Sequence, residues 1–269
     1  MLLLIDHVTL YRYDSPVRGV VQSHRLTPSG CEGQKVLEWE VSVSGGVKGG
    51  GFRDGAGDWV QGWSVKGPVS EIAVHVRGRV QTADMAGVLK GHREIVAPEV
   101  YLAETAATEL AGGLAVLAQA AEGADNRLAA AHALSRAVSE AIEYKPGTTH
   151  ARTTAAEALE LGVGVCQDHT HVLCAIARAN GIPARYVSGY LLADADGEAH
   201  EAAHAWAVLH IPGLGWVGFD PANECCPDDR YVRLGSGLDS REAAPIRGSA
   251  RSNGAESLNV TVAVLATQQ

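Results

Sequence analysis

The chain has no apolar run long enough to cross a bilayer, no cluster of lysines or arginines, and no cysteine pair at C-x-x-C spacing. Each absence removes a class of protein. The opening "MLLLIDHVTLYRY" offers four apolar residues after Met1 before Asp6, too few for a membrane span or a signal-peptide core. With a formal net charge of -9 and no basic run, neither nucleic acid nor an anionic membrane is expected as a partner. The five cysteines, Cys31, Cys166, Cys174, Cys225 and Cys226, are odd in number and widely scattered. They are not a disulfide framework and fit a reducing, cytoplasmic setting. Without C-x-x-C a structural zinc site has no support.

What is present is ordinary globular material: 269 residues, 46% apolar and 20% charged, enough for one large domain or two modest ones. Two regions differ in texture. Residues 1–97 carry β-type runs, "HVTLYRY", "VLEWEVSV", "WVQGWSV" and "EIAVHVRGRVQT", rich in β-branched and aromatic residues. The glycine-dense "SGGVKGGGFRDGAGD" between them reads as a hairpin loop; it lacks the spacing and the Lys-Ser/Thr ending of a phosphate cradle. From Pro98 the composition turns to Ala, Leu and Glu. "DNRLAAAHALSRAVSEAIEY" puts Leu128, Ala131, Leu134, Ala137, Val138 and Ile142 on one helical stripe. Thr154 with Glu157 forms a capping-box pattern for a short helix. "CQDHTHVLCAIARANG" reads as a helix of about fifteen residues stopped by Asn180-Gly181. Strands are expected in "ARYVSGYLL", "AWAVLHI" and "GWVGFD", and a last one in "SLNVTVAVLA".

Cys166 follows "GVGV" at the start of the predicted helix. Gly162 and Gly164 permit a tight turn and close backbone approach. Unpaired N–H groups and the positive end of the helix dipole there favour a thiolate, and the same N–H groups suit an oxyanion. A nucleophilic thiol is what such a position serves; the bland alternative is a small buried cysteine. Cys174, mid-helix among Leu173, Ile176 and Ala177, reads as the bland case. Cys31 has no evident role, and the vicinal Cys225-Cys226 suggests oxidation sensitivity and nothing more.

"HEAAHAWAVLH", residues 200–210, carries two meanings. H-E-x-x-H on a helix would bring His200 and His204 to one zinc ion with Glu201 as base, and His210 would stand as a third ligand. The longer zinc pattern needs glycine at position 207, where this chain has Ala207. The following apolar runs flank Pro-Gly-x-Gly, a β-hairpin signal. If that turn is odd and centred on Gly213, Trp206 faces Asp220 and His204 lies one diagonal away on the same face. Even parity would turn Asp220 away and bring Asp228, Asp229 or Asn223 forward instead. Cys166, His204 and Asp220 then form a candidate Cys-His-Asp constellation.

Taken together, "TTAAEALELGVGVCQDHTHVLCAIARANGIPARYVSGYL", "HAWAVLHIPGLGWVGFDPAN" and "DDRYVRLGSGLD" closely resemble the bacterial transglutaminase-like proteins, a branch of the papain-related thiol enzymes. "HVTLYRYDSPV" and "DGAGDWVQGWSVKGP" resemble that branch's N-terminal region. The resemblance implies an α+β fold: a β-rich region, residues 1–97, then a papain-like core with its C-terminal strand, residues 98–269, holding the nucleophile at a helix N-terminus on an antiparallel sheet. It implies Cys166 as nucleophile, His204 as general base and acid, Asp220 as orienter, and no metal or cofactor. His169 departs from the family's aromatic residue in "CQDFAH"; it either packs in that residue's place or tunes the site. His171 matches the family and fits a role in helix packing or in supporting the site residues from behind, Asp168 suits the helix dipole, and Tyr144 is a candidate oxyanion donor. The expected activity is hydrolysis of peptide or carboxamide bonds through a thioester on Cys166, on a peptide or protein substrate. The alternatives are glutamine gamma-glutamyl transfer and a non-catalytic interaction module, since one triad serves several acceptors.

Overall fold

The computed structural model describes residues 1–192, 203–250 and 254–266. Its first region is a curled six-stranded antiparallel sheet in which two very long strands, β1 (Leu2–Thr27) and β4 (Trp59–Thr82), pair along almost their whole length. Register shifts between Arg12 and Gly19 and between His24 and Thr27 bend them, as bulges do. β2 (Gln34–Val43) pairs the C-terminal half of β4 and β3 (Gly46–Arg53) its N-terminal half. The glycine-dense stretch therefore largely forms strand rather than loop. A Cβ on Gly51 would lie 2.4 Å from Cζ2 of Trp59 and 2.8 Å from Oε1 of Gln61, so glycine is what lets β3 lie against both.

The core follows. After 3₁₀ turns and the single-turn α1 (Leu114–Leu117) come α2 (Arg127–Ala141), β5 (Glu143–Tyr144), α3 (Ala155–Leu161), β6 (Val163–Gly164) and α4 (Cys166–Ala179). The Thr154–Glu157 capping box is formed on both sides, at 2.8 and 3.3 Å. Strands β7 (Ala184–Leu191), β8 (Ala203–Ile211), β9 (Gly215–Phe219) and β10 (Tyr231–Gly237) make an antiparallel sheet ordered β10-β7-β8-β9. The main apolar cluster joins Leu134 and Val138 of α2 and Val172, Leu173 and Ile176 of α4 to Ala205, Ala207 and Leu209 of β8. The buried Arg178 near the end of α4 donates to Tyr101 O, Thr108 Oγ1, Ala184 O and Leu238 O at 2.6–3.1 Å, fixing the irregular segment after Pro98. No helix of the described residues is long and apolar enough to span a membrane.

The last strands depart from the expected grouping with the core. β11 (Ile246–Ala250) and β12 (Glu256–Ala266) both pair with β1. The chain thus returns to its first sheet, because β1 has one long edge still unpaired after β4 is in place. A second apolar cluster reinforces the junction: Tyr190, Val232 and Leu234 of the core sheet pack among Leu3, Leu26, Val65 and Val80.

Candidate active site

α4 begins where β6 ends. Gly162, with φ of 66°, closes α3, and Gly164 passes so near Asp168 that a Cβ would sit 2.8 Å from that side chain. Asp168 Oδ2 accepts the Val165 N–H at 2.8 Å and the Thr149 hydroxyl at 2.6 Å, anchoring the first turn; its Oδ1 is buried without a partner. The half-buried Cys166 is the first helical residue. The first backbone bonds of the helix start from Asp168 and His169 N–H, both to Val165 O, so the N–H groups of Cys166 and Gln167 precede the hydrogen-bonded ladder.

The β8–β9 hairpin pairs Ile211 with Gly215 and Ala207 with Phe219. The turn is the odd, three-residue one centred on Gly213, and Asp220 falls opposite Trp206. His204 Nε2–H donates to Asp220 Oδ2 at 2.6 Å, and Cys166 lies near enough to the ring to raise its pKa. Burial disfavours the charged ring, but the bond to Asp220, the nearby Cys166 and the negative charge beside it prevail and lift the His204 pKa to about 10. Burial likewise pushes Asp220 up, yet the His204 bond and charge, with Asn223 and Tyr231, hold it below the usual carboxylate range.

Asp220 is fully buried and heavily supported. Besides His204, Oδ2 accepts from Asn223 Nδ2 at 2.7 Å and Tyr231 OH at 2.8 Å; Oδ1 accepts the backbone N–H of Ala222 at 3.1 Å. The Tyr231 ring also stands edge-on to His204, centroids 6.0 Å apart, while Trp206 stacks on His204 at 6.3 Å. Sequence reasoning missed Tyr231. It enters from β10, which is not β9's neighbour, so no local spacing links it to Asp220.

The other expected residues are less central. His169 is buried with Nδ1 2.9 Å from Val165 O and Nε2 3.0 Å from Ile142 O; it ties two backbone segments together rather than only filling an aromatic residue's space. His171 accepts the Ser240 N–H at 3.1 Å and packs 5.1 Å from the Tyr186 ring. Burial lowers its pKa to about 4, so it is a neutral packing residue. Tyr144 pairs with Gly164 across β5–β6 and is 46% exposed, its ring 6.2 Å from that of His169. His200 and Glu201 of the zinc pattern lie outside the described residues. Residues 203–211 form a strand, not the helix that pattern needs. A strand rises about 3.3 Å per residue, which sets His204 and His210 roughly 20 Å apart.

A helix opened by cysteine and packed on an antiparallel sheet whose adjoining strands carry hydrogen-bonded histidine and aspartate is the architecture of the transglutaminase-like, papain-related proteins. The chain belongs to the transglutaminase-like superfamily: the superfamily model matches residues 115–221, and the model of the bacterial transglutaminase-like N-terminal region matches residues 3–81. The Uncharacterized protein ML0607 of Mycobacterium leprae is 30% identical over 278 residues, covering 97% of each chain. A Protein-glutamine gamma-glutamyltransferase of Pseudomonas aeruginosa is 33% identical over 86 residues, 28% of this chain and 12% of that protein. In fold, a Cytophaga hutchinsonii protein described as a candidate cysteine protease superposes with a TM-score of 0.75 over 100% of this chain and 92% of its own, at 19% identity.

Proposed function

We propose that the protein is a thiol-dependent acyl-transfer enzyme that hydrolyses peptide or carboxamide bonds. The observation that carries this is one buried imidazole bonded to Asp220 at 2.6 Å and electrostatically coupled to a helix-initiating thiol. The Cys166 sulfur attacks the acyl carbon while His204 holds the proton. The N–H groups of Cys166 and Gln167 receive the oxyanion. Collapse breaks the C–N bond, and His204 passes its proton to the departing amine, leaving a thioester on Cys166. Water, deprotonated by His204, then releases the acid and the free thiol. These side chains supply the whole reaction, so no cofactor is required of it. Asp220 acts by fixing the ring and balancing its charge.

The same thioester yields to an amine in place of water, which is glutamine gamma-glutamyl transfer when the acyl donor is a glutamine side chain. The local likeness to the Pseudomonas transferase favours keeping this second reading. The presence of thiol, imidazole and carboxylate in one constellation argues against a purely structural interaction module. Five unpaired cysteines support a reducing compartment such as the cytoplasm. The deciding experiment incubates wild type and Cys166→Ala with peptide and carboxamide libraries, with and without an added primary amine. Amine-independent product made only by wild type supports hydrolysis; product that requires the amine supports transfer; equal product from Cys166→Ala overturns the thiol mechanism.

A further inference from the structure

Among the described residues of the N-terminal sheet, two polar side-chain atoms are buried without a partner: Nδ1 of His24 and Nε1 of Trp63. Buried polar groups are almost always paired. Both residues line one cavity of about 230 Å³, together with Trp39, Trp59, Gln61 and Lys48. The strand register explains the assembly. Trp59, Gln61 and Trp63 alternate along β4 and so share a face; His24 stands opposite Gln61, and Lys48 opposite Trp63. Trp39 arrives from β2, which pairs the other half of β4. Its indole N–H donates to Leu26 O at 2.8 Å, closing the curled sheet over the cavity.

The unpartnered atoms define what would fit. His24 Nε2–H donates to Gln22 Oε1 at 3.0 Å, which leaves Nδ1 with a free lone pair. Burial lowers the His24 pKa to about 4, so the ring is neutral at ordinary pH. Trp63 Nε1–H can only donate. The two rings stack, centroids 6.1 Å apart and 29° from parallel. A group answering both must accept and donate at once, as a hydroxyl does. A carbonyl would answer the indole alone and an ammonium the imidazole alone; Lys48 in the wall opposes a cation. The indole walls offer flat apolar surface with a polar edge, suited to the C–H face of a sugar ring.

We propose that this cavity binds the pyranose ring of a neutral saccharide, one hydroxyl bridging His24 and Trp63. The site is separate from Cys166 and does not rest on the proposed activity. The test titrates the full chain with methyl glucoside, N-acetylglucosamine and cellobiose, followed by tryptophan fluorescence and saturation-transfer NMR. At least one saccharide should give a saturable response that is unchanged in Cys166→Ala. Trp63→Phe, which keeps a ring and removes the donor, should weaken it about tenfold. Trp59→Ala, at a half-buried wall position, should weaken it at least as much and serves if Trp63→Phe does not fold. The proposal is overturned if no saccharide gives a saturable response with folded protein. It is equally overturned if tetramethylammonium or a polyproline peptide binds in their place, or if neither folded variant alters the response.

Discussion

Among the described residues two aspartates are buried completely, Asp220 at the candidate site and Asp58 where the N-terminal sheet meets the core. Their surroundings are nearly matched. Asp58 accepts from Arg233 at 2.5 Å, from the Ser29 hydroxyl at 2.6 Å, and from the Ser236 N–H and hydroxyl at 2.7 and 2.8 Å. Burial pushes each carboxyl up, and in each case the cation and its companion donors overcome that and hold the pKa low. The difference is the cation. An arginine guanidinium is a permanent cation in proteins, so Asp58 is a fixed clamp between the regions. His204 can release its proton, so the same electrostatic solution at Asp220 becomes reversible. What separates the joint from the candidate site here is one titratable ring.

The largest effect should come from removing the proposed nucleophile beside that ring. Cys166→Ala should lower kcat/KM on the order of 10⁴-fold or more while the melting temperature stays near wild type. Iodoacetamide should label Cys166 ahead of Cys174, whose thiol is fully buried and pushed up to about 11; peptide mapping reads both. The two aspartates should then separate cleanly. Asp58→Asn leaves Arg233 buried without its countercharge, and breaking such a pair costs about 3–5 kcal/mol, visible in denaturant unfolding. Asp220→Asn should cost less stability, because His204 can discharge itself, yet lower kcat by roughly 10²–10⁴-fold. If Asp58→Asn proved the more damaging to turnover in folded protein, the contrast between clamp and orienter would fail.

Much of the site was legible because its logic is local. The helix of residues 166–179 is written in its apolar spacing, and the hairpin from Ala203 to Phe219 in two apolar runs around Pro212-Gly213. Parity then determines which residues face each other. The capping box at Thr154 is likewise a three-residue pattern. What escaped is non-local. β12 pairs with β1 from the opposite end of the chain, and the glycines of β3 disguise a strand whose justification is the bulk of Trp59 and Gln61 across from it. Tyr231 and Asp58 gain their meaning from partners brought close only by packing. The curled sheet that joins β1 to β12 has no signature within any short window.

A middle-sized effect lies in pH. His204 is raised from 6.5 to about 10, so its stabilising contribution is complete below about 6.5 and is lost as pH rises through about 10. The alkaline limb of kcat/KM should lie in that upper region, and melting temperature should fall across it. Both aspartates are depressed, so their contributions are present above the ordinary carboxylate value and are lost as pH falls through the lower folded ones. Asp220→Asn removes a principal cause of the raised imidazole and should move the alkaline limb downward; Asp58→Asn should leave it in place. Paired pH–rate profiles of the two variants measure this. An unmoved limb in Asp220→Asn would mean that Asp220 does not govern the ring.

The smallest effect tests how far the support around Asp220 extends. Tyr231 donates one of the three side-chain hydrogen bonds that reach Oδ2, at 2.8 Å, and its ring stands edge-on to His204. Tyr231→Phe keeps the ring and removes only the donor. Asp220 would retain His204 and Asn223 at 2.6 and 2.7 Å, so the carboxylate stays charged and in place. The loss is then one hydrogen bond to a charged group, about 1.5–3 kcal/mol at most, divided between stability and the orientation of the imidazole. Turnover should fall roughly tenfold or less with KM unchanged, because the Tyr231 hydroxyl acts through Asp220. The alkaline limb should shift downward by less than in Asp220→Asn. Cys225 offers an internal control: its sulfur lies 3.3 Å from the same hydroxyl, so Cys225→Ser should reproduce neither the fall in turnover nor the shift. A Tyr231→Phe protein with wild-type turnover and an unmoved limb would confine the working support of Asp220 to the loop that carries Asn223.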